Sequence, residues 1–328
     1  MQQRHIGSVL TSAIGLGCMN LSHAYGTPPT RDIAEQVVRA SLDEGITFFD
    51  TAALYGFGAN ETLMGELLAP HRQKIFLASK CGMTGVDGKR VIDGRPETLK
   101  ATCEASLQRL RTDVIDLYYL HRWDKTVPIE ESIGALADLV QAGKIRAIGL
   151  SEVSAATLRK AHAVHPIAAV QTEYSLWTRN AEIAVLQACR ELGAAFVAFS
   201  PVARGFLGGE LRDVTALEPK DIRRGMPRFA PENYARNLEL LEPYLDIAEE
   251  LEITPAQLAL AWLLAQDDHV FAIPGTTSPQ HARDNALAAD IKLDPTVLAQ
   301  LDELINQDTV VGPRYPAATQ TEIDTEEF

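Results

Sequence analysis

The chain has 328 residues, 46% of them hydrophobic, and a formal net charge of −14. That length accommodates one large α/β domain or two modest ones, with ample material for a core. The acidic balance argues against a nucleic-acid binder, which needs a basic face. The four cysteines, Cys18, Cys81, Cys103 and Cys189, form no CxxC pair, so neither a disulfide framework nor a metal site is expected and a reducing compartment fits. Residues 1–5 carry no apolar leader and no run is long enough to span a bilayer, so the expectation is a cytoplasmic protein without a membrane partner.

Read in order, short apolar runs recur at 14–16, 46–49, 75–78, 115–120, 145–148, 168–170, 195–199 and 270–273. Most gaps between them hold an amphipathic helical pattern, such as Leu99, Cys103, Ser106, Leu107 and Leu110. Eight strand–helix units without a Gly/Ser-rich linker fit a (β/α)8 TIM barrel across 1–328; a doubly wound sheet is the structural alternative. Residues 6–9 resemble half of a small hairpin that would plug the barrel floor. The long Gly-, Pro- and Arg-rich segment 202–236, after strand 7, has the look of a lid or binding loop. Helices are expected over 238–251, 255–264, about 279–289 and 298–305, and the acidic tail 312–328 is expected to lie over the surface or be partly loose.

Polar residues stand where these strands end. The run 46–49 leads into Asp50 and, five residues on, Tyr55, with Gly56 and Gly58 behind. The third run leads into Lys80, which by itself reads equally as a surface lysine. The fourth leads into His121, by itself as often a hydrogen-bonded core residue as a catalyst. Ser151, Gln171, Phe199 and Ser200 end the next strands. Gly15-Leu16-Gly17-Cys18-Met19-Asn20 begins like a dinucleotide fingerprint but lacks its third glycine, so a plain glycine turn is the better reading. After the last strand, 273–279 (Ile-Pro-Gly-Thr-Thr-Ser-Pro) opens a helix. Its N–H groups and hydroxyls suit an anion, with capping by Ser278 as the competing account.

Tyr55, Lys80, Asp50 and His121 therefore come from three successive strand ends. A phenol titrates near ~10, too high for acid–base work at neutral pH, and a nearby ammonium lowers that value. An aspartate would hold the lysine charged, and an imidazole N–H would orient a carbonyl oxygen. Such a set suits proton delivery to a carbonyl as a hydride reaches its carbon, and the hydride must come from a cofactor.

The chain resembles the aldo-keto reductases along almost its whole length. The likeness rests on Phe49-Asp50-Thr51-Ala52, Tyr55-Gly56, Asn60-Glu61, Ser79-Lys80, the runs 116–121, 143–151 and 171–175, and Ile273-Pro274-Gly275-Thr276. Residues 171–178 and Arg204-Gly205-Phe206-Leu207 are most similar to the bacterial and plant branch that includes perakine reductase. The resemblance implies a barrel that binds NADP(H) across its carboxyl-end face, NAD(H) remaining open, and reduces an aldehyde or ketone. It implies Tyr55 as general acid, Lys80 and Asp50 as its tuning pair, and His121 as carbonyl orienter. It places Met19, Ser151 and Gln171 at the cofactor, the latter two on the carboxamide, and Phe199 stacked on the nicotinamide where a tyrosine is usual. Ser200, Val202, Arg204, Gly205 and Leu207 match the pyrophosphate loop; Thr276, Thr277, Asp284 and Asn285 match the adenosine end. Glu152 replaces an asparagine common beside the carboxamide serine, Gly275 a lysine of some members, and His281 an arginine that often holds the 2′-phosphate. Arg283 or an arginine of the long loop would compensate. The wall of the pocket for the small carbonyl substrate is expected from Tyr25, Tyr55, the loop after His121 including Trp123, the long loop and the carboxyl-terminal tail. Tyr25 and Trp123 suit aromatic or bulky carbonyl compounds, with plain packing as their competing account. The rival reading is a nicotinamide-binding regulatory subunit with little turnover. A Schiff-base lyase using Lys80 is a further one.

Overall fold

The computed structural model describes residues 1–328. Its strands in chain order are β1 (Gln3–Ile6), β2 (Val9–Ser12), β3 (Leu16–Gly17), β4 (Phe48–Asp50), β5 (Phe76–Cys81), β6 (Met83–Val86), β7 (Lys89–Ile92), β8 (Ile115–Leu120), β9 (Ile145–Ser151), β10 (Ile167–Glu173), β11 (Ala195–Phe199) and β12 (Val270–Ala272). The helices are α1 (Arg31–Asp43), α2 (Ala59–Leu68), α3 (Pro96–Leu110), α4 (Ile129–Gln141), α5 (Ala155–Val164), α6 (Val185–Leu192), α7 (Pro231–Asn237), α8 (Leu241–Glu250), α9 (Pro255–Leu264), α10 (Pro279–Leu287), α11 (Pro295–Leu304) and α12 (Ala317–Gln320).

Eight strands pair in parallel in the order β12-β11-β10-β9-β8-β5-β4-β3. Ile14 bridges to Ala272, with the Gly15 N–H donating to the Ala272 carbonyl at 2.8 Å, so the two edges meet and the sheet closes as the sequence rhythm predicts. All eight expected runs become strands of this barrel. Its interior is a small cluster that includes Phe48, Phe76, Leu117, Val197 and Phe271, while a cluster of 71 residues fills the space between sheet and helices. The helices show why. In α4, Ile129, Ile133, Leu136 and Leu139 fall on one buried stripe. In α9 every residue from Gln257 to Leu264 is buried, and Thr254 and Gln257 close a capping box at its start.

The β1–β2 hairpin covers the amino-terminal end of the barrel. Ile6 joins the interior cluster, and the Arg4 guanidinium donates to the carbonyls of Leu264, Asp267 and Val270 at 2.5–2.8 Å. The carboxyl-terminal end of the strands is shaped by close approaches. A Cβ on Gly149 would lie 2.3 Å from the Tyr119 ring, so β9 and β8 can pack at this height only with glycine there.

Three features differ from expectation. A second hairpin, β6–β7, follows β5; its mixed, glycine-bearing residues carry no clear period-2 pattern. The segment 202–236 is ordered as four short 3₁₀ turns and α7 rather than as irregular loop. The tail is not loose: Arg314, Tyr315 and Ile323 are buried, and the Asp324 N–H donates to the Glu152 carbonyl at 3.0 Å. No helix is long and apolar enough to cross a membrane.

Candidate active site

β4 ends at Asp50, and the chain turns through Thr51–Leu54 into a tight 3₁₀ turn at Tyr55. Gly56, Phe57 and Gly58 all take positive φ there, which sets the phenol over the barrel end before α2 begins. Two buried residues of α2 pin this turn. Asn60 accepts from the Thr51 hydroxyl at 2.6 Å and donates to the Cys18 carbonyl and Ser22 Oγ, both at 2.8 Å. Glu61 accepts from Ser79 Oγ at 2.5 Å and from Arg109 at 2.6 Å.

Lys80, on β5, is fully buried beneath Tyr55. Its ammonium donates to Asp50 Oδ1, to the Thr51 carbonyl at 2.9 Å and to Tyr55 Oη at 3.2 Å. Asp50 Oδ2 accepts from Gln171 Nε2 at 2.8 Å, so the carboxylate joins β5 to β10 across the barrel. His121, just past β8, meets the Tyr55 ring edge-on at 5.9 Å, and its Nδ1 has no partner.

Burial works against the charge on Lys80, yet Asp50 and then Tyr55 outweigh it and hold the amine above its ordinary range, hence charged. Burial pushes His121 well below the usual imidazole value, with Arg122, Lys80 and Arg90 adding to the effect, so the ring is neutral. Tyr55 corrects the sequence argument. Lys80 does pull the phenol down, but burial is the larger influence and the net direction is upward. The hydroxyl therefore keeps its proton until something else in the site makes the phenolate favourable.

Above these groups lies a cavity of about 960 Å³. Of the residues expected from the sequence, Asp50, Tyr55, His121, Met19, Ser151, Gln171, Phe199, Ser200, Val202, Arg204, Gly205, Gly275, Thr276, Thr277, His281, Asp284, Asn285 and Tyr25 all line it. Two stand apart. Leu207 is fully buried among apolar neighbours, and Trp123 turns its indole N–H to the Val127 carbonyl at 2.9 Å and packs on the helix-side core. A core contact satisfies each better than the cavity wall would.

The expected arginines are otherwise engaged. Arg204 donates to Glu173 at 2.8 Å and to Tyr315 Oη at 3.2 Å, and Arg283 faces Glu44 at 3.8 Å rather than the cavity. Only His281, half-exposed and 3.9 Å from Glu210, offers a titratable nitrogen at that end. At the start of α10, Ser278 Oγ accepts the His281 N–H at 3.3 Å and Thr276 Oγ1 accepts the Ser278 N–H at 3.0 Å, the arrangement simple capping requires.

Several lining residues escaped the sequence reading. His23 stacks on Tyr55 with ring centroids 6.3 Å apart, and burial pushes it below the usual imidazole value. Arg90 comes from the unforeseen β6–β7 hairpin, whereas Arg122 in the loop after His121 and Tyr315, Pro316 and Thr319 of the tail lie in segments expected to form the wall, though none was singled out by residue. Beneath the cavity, Arg314 donates to Glu152 at 2.6 Å and to Glu173 at 3.0 Å, closing a buried charge cluster with Arg204. Glu152 thus serves the tail, not the cavity. The one sequence signal available was adjacency, since Arg122 follows a candidate histidine directly.

Residues 13–306 match the model of the Aldo/keto reductase family. The chain is 44% identical to Probable aldo-keto reductase 1 of Glycine max over 307 residues, covering 93% of this chain and 88% of that one. It is 41% identical to aldo-keto reductase yakc, NADP(+), of Schizosaccharomyces pombe over 327 residues, covering 98% and 96%. Among solved structures, the glycerol dehydrogenase AKR11B4 of Gluconobacter oxydans is similar with a TM-score of 0.86 at 30% identity, covering 96% of this chain and 98% of that one. With a match across nearly its whole length and relatives at these identities, the chain belongs to the aldo/keto reductase family.

Proposed function

We propose that the protein reduces an aldehyde or ketone to the alcohol with NADPH, reversibly. The observation that carries this reading is the buried Lys80 ammonium, held by Asp50 and 3.2 Å from the hydroxyl of Tyr55, which lines the floor of a large cavity. The residues present fit the cofactor. The cavity stands at the upper end of the ~300–1,000 Å³ range of ligand sites. Ser151 and Gln171 offer neutral polar groups near the reactive end, and Phe199 turns a partly exposed ring to the same space. A Cβ on Gly275 would stand 2.7 Å from Asn20, so any larger residue there would crowd the cavity wall. The Schizosaccharomyces pombe relative carries NADP(+) in its name.

When bound, the reduced nicotinamide supplies the hydride. Tyr55 gives its proton to the carbonyl oxygen, and Lys80 stabilises the phenolate left behind, an effect that strengthens as charge develops in a dry site. His121, neutral, orients the carbonyl by donating a hydrogen bond rather than a charge. Lys80 is a poor candidate for a Schiff-base nucleophile, since its neighbours hold it charged.

Replacing Tyr55 with Phe tests the reading. Turnover over a panel of aldehydes and ketones should fall by ~10²–10⁴-fold while NADPH affinity stays within a few-fold. Undiminished turnover would sink it, and tight NADPH binding by the wild type without oxidation across the panel would favour a regulatory subunit instead.

A further inference from the structure

Four arginines reach the cavity, and three have carboxylate partners: Arg90 with Glu322, Arg204 with Glu173 and Arg223 with Asp221. Arg122 has none. Its Nη1 donates to the His121 carbonyl at 2.6 Å and to Ser151 Oγ at 3.2 Å, leaving Nε and Nη2 without a protein partner. The residue is half-buried, directly follows His121, and its charge is felt by both His121 and Tyr55. A guanidinium partly stripped of water and lacking a counter-ion is unfavourable alone and becomes favourable when an anion enters. In a chain with a net charge of −14, carboxylates are plentiful, yet at this end the cavity meets only Asp50, already locked to Lys80. The nearby walls are apolar, from Leu54, Phe57 and Met83, and the two imidazoles are neutral.

We infer that the site takes carbonyl compounds that also carry a carboxylate, the anion received by Arg122 while Tyr55 and His121 receive the carbonyl. This rests on the reductase reading above. The reaction itself is unchanged: NADPH gives a hydride to the carbonyl carbon, Tyr55 gives a proton to its oxygen, and the carboxylate passes through unaltered.

The experiment compares kcat/KM for 4-carboxybenzaldehyde and its neutral counterpart 4-formylbenzamide, using the full chain with NADPH, in wild type, Arg122→Met, Arg122→Lys and Arg90→Met. The wild type should prefer the anion by about tenfold or more, the worth of one charge-assisted hydrogen bond. Arg122→Met should bring the ratio near unity, Arg122→Lys should keep part of it, and Arg90→Met should keep most. Because the readout is a ratio, any loss common to both aldehydes cancels. Equal turnover of both aldehydes by wild type overturns the inference alone. So does a ratio that survives Arg122→Met, or one lost in Arg90→Met instead. If wild type reduces neither aldehyde nor any other carbonyl compound, the reductase reading fails and takes this inference with it.

Discussion

At the floor of the cavity, Asp50, Tyr55 and His121, with Lys80 beneath them, stand at or just beyond strand ends and all are buried. At the end near His281 the lining comes from loops and the start of α10, Gly275, Thr277 and His281 are exposed, and the histidine's neighbour Glu210 is 82% exposed. The same barrel holds both, yet the first set has few positions available to it and the second has many. Electrostatics follows that division. Burial multiplies every charge interaction at the floor, so each group is pushed in a definite direction, whereas water screens the far end. Breaking a contact should therefore be severe, pH-dependent and insensitive to salt at one end, and mild and salt-sensitive at the other.

The largest effect should come from Lys80→Met. It leaves Asp50 buried with one amide donor and no cation, a loss of about 3–5 kcal/mol for a broken buried pair. Burial already pushes Asp50 upward in the intact protein, so in the variant its carboxyl should take a proton at an unusually high pH. A folded-state value raised above the unfolded one gives stability present at low pH and lost as pH rises. Urea unfolding of the variant should accordingly show stability recovering as pH falls, and turnover should drop by at least ~10²-fold. A variant as stable as wild type at neutral pH would mean that the pair is not what holds the floor.

This contrast also explains what the sequence showed. Asp50, Lys80 and His121 were legible because a polar residue closing an apolar run is visible in one dimension and a parallel barrel gathers such ends in three. Asn60 and Glu61, just beyond Tyr55 at the start of α2, act through partners 9 to 48 residues distant, so their motif was readable but their role was not. Arg314 has no local signal. It sits in a polar tail without period, and its partners Glu152 and Glu173 are 162 and 141 residues away. The net direction at Tyr55 was missed for the same reason, since burial is a property of the packed whole. The order in 202–236 was hidden by Gly, Pro and Arg, which read as loop whether or not tertiary contacts order them.

The charge cluster below the cavity gives the next effect. Burial opposes the charge of Glu173, but Arg204, Arg314 and Arg228 outweigh it and hold the carboxyl down at about 2, from an ordinary value near 4.5. A depressed folded-state value contributes stability that is full above the ordinary value and lost as pH falls toward the lower one. Wild type should lose roughly 3 kcal/mol between about pH 4.5 and 2 through this group. Glu173→Gln should flatten the curve in that window; an unchanged curve would remove the cluster as its cause. A smaller loss, about 1 kcal/mol, is expected from Asp324→Ala. It deletes the tail carboxylate that accepts from the Ser154 N–H, Ser154 Oγ and Thr157 Oγ1 at the start of α5. Thermal unfolding reads that change, and no shift would mean that the tail is held elsewhere.

The smallest effect tests the far end. His281→Arg places a permanent cation where the cavity now has an imidazole, and if the adenosine 2′-phosphate lies there NADPH should gain over NADH. The site is more than half exposed and Glu210 is close enough to capture the new charge, so the single substitution should raise the NADPH/NADH ratio of kcat/KM only a few-fold. Adding Glu210→Gln should release the cation and enlarge the gain. Both gains should shrink between ~0.05 M and ~0.5 M salt as screening tightens, while the loss in Tyr55→Phe should not move. A salt-independent gain would mean that the far end is as dry as the floor, and the distinction between the two ends would collapse. A ratio unchanged in the double variant would instead place the 2′-phosphate away from this position, leaving the floor as the only part of the cavity whose chemistry its residues define.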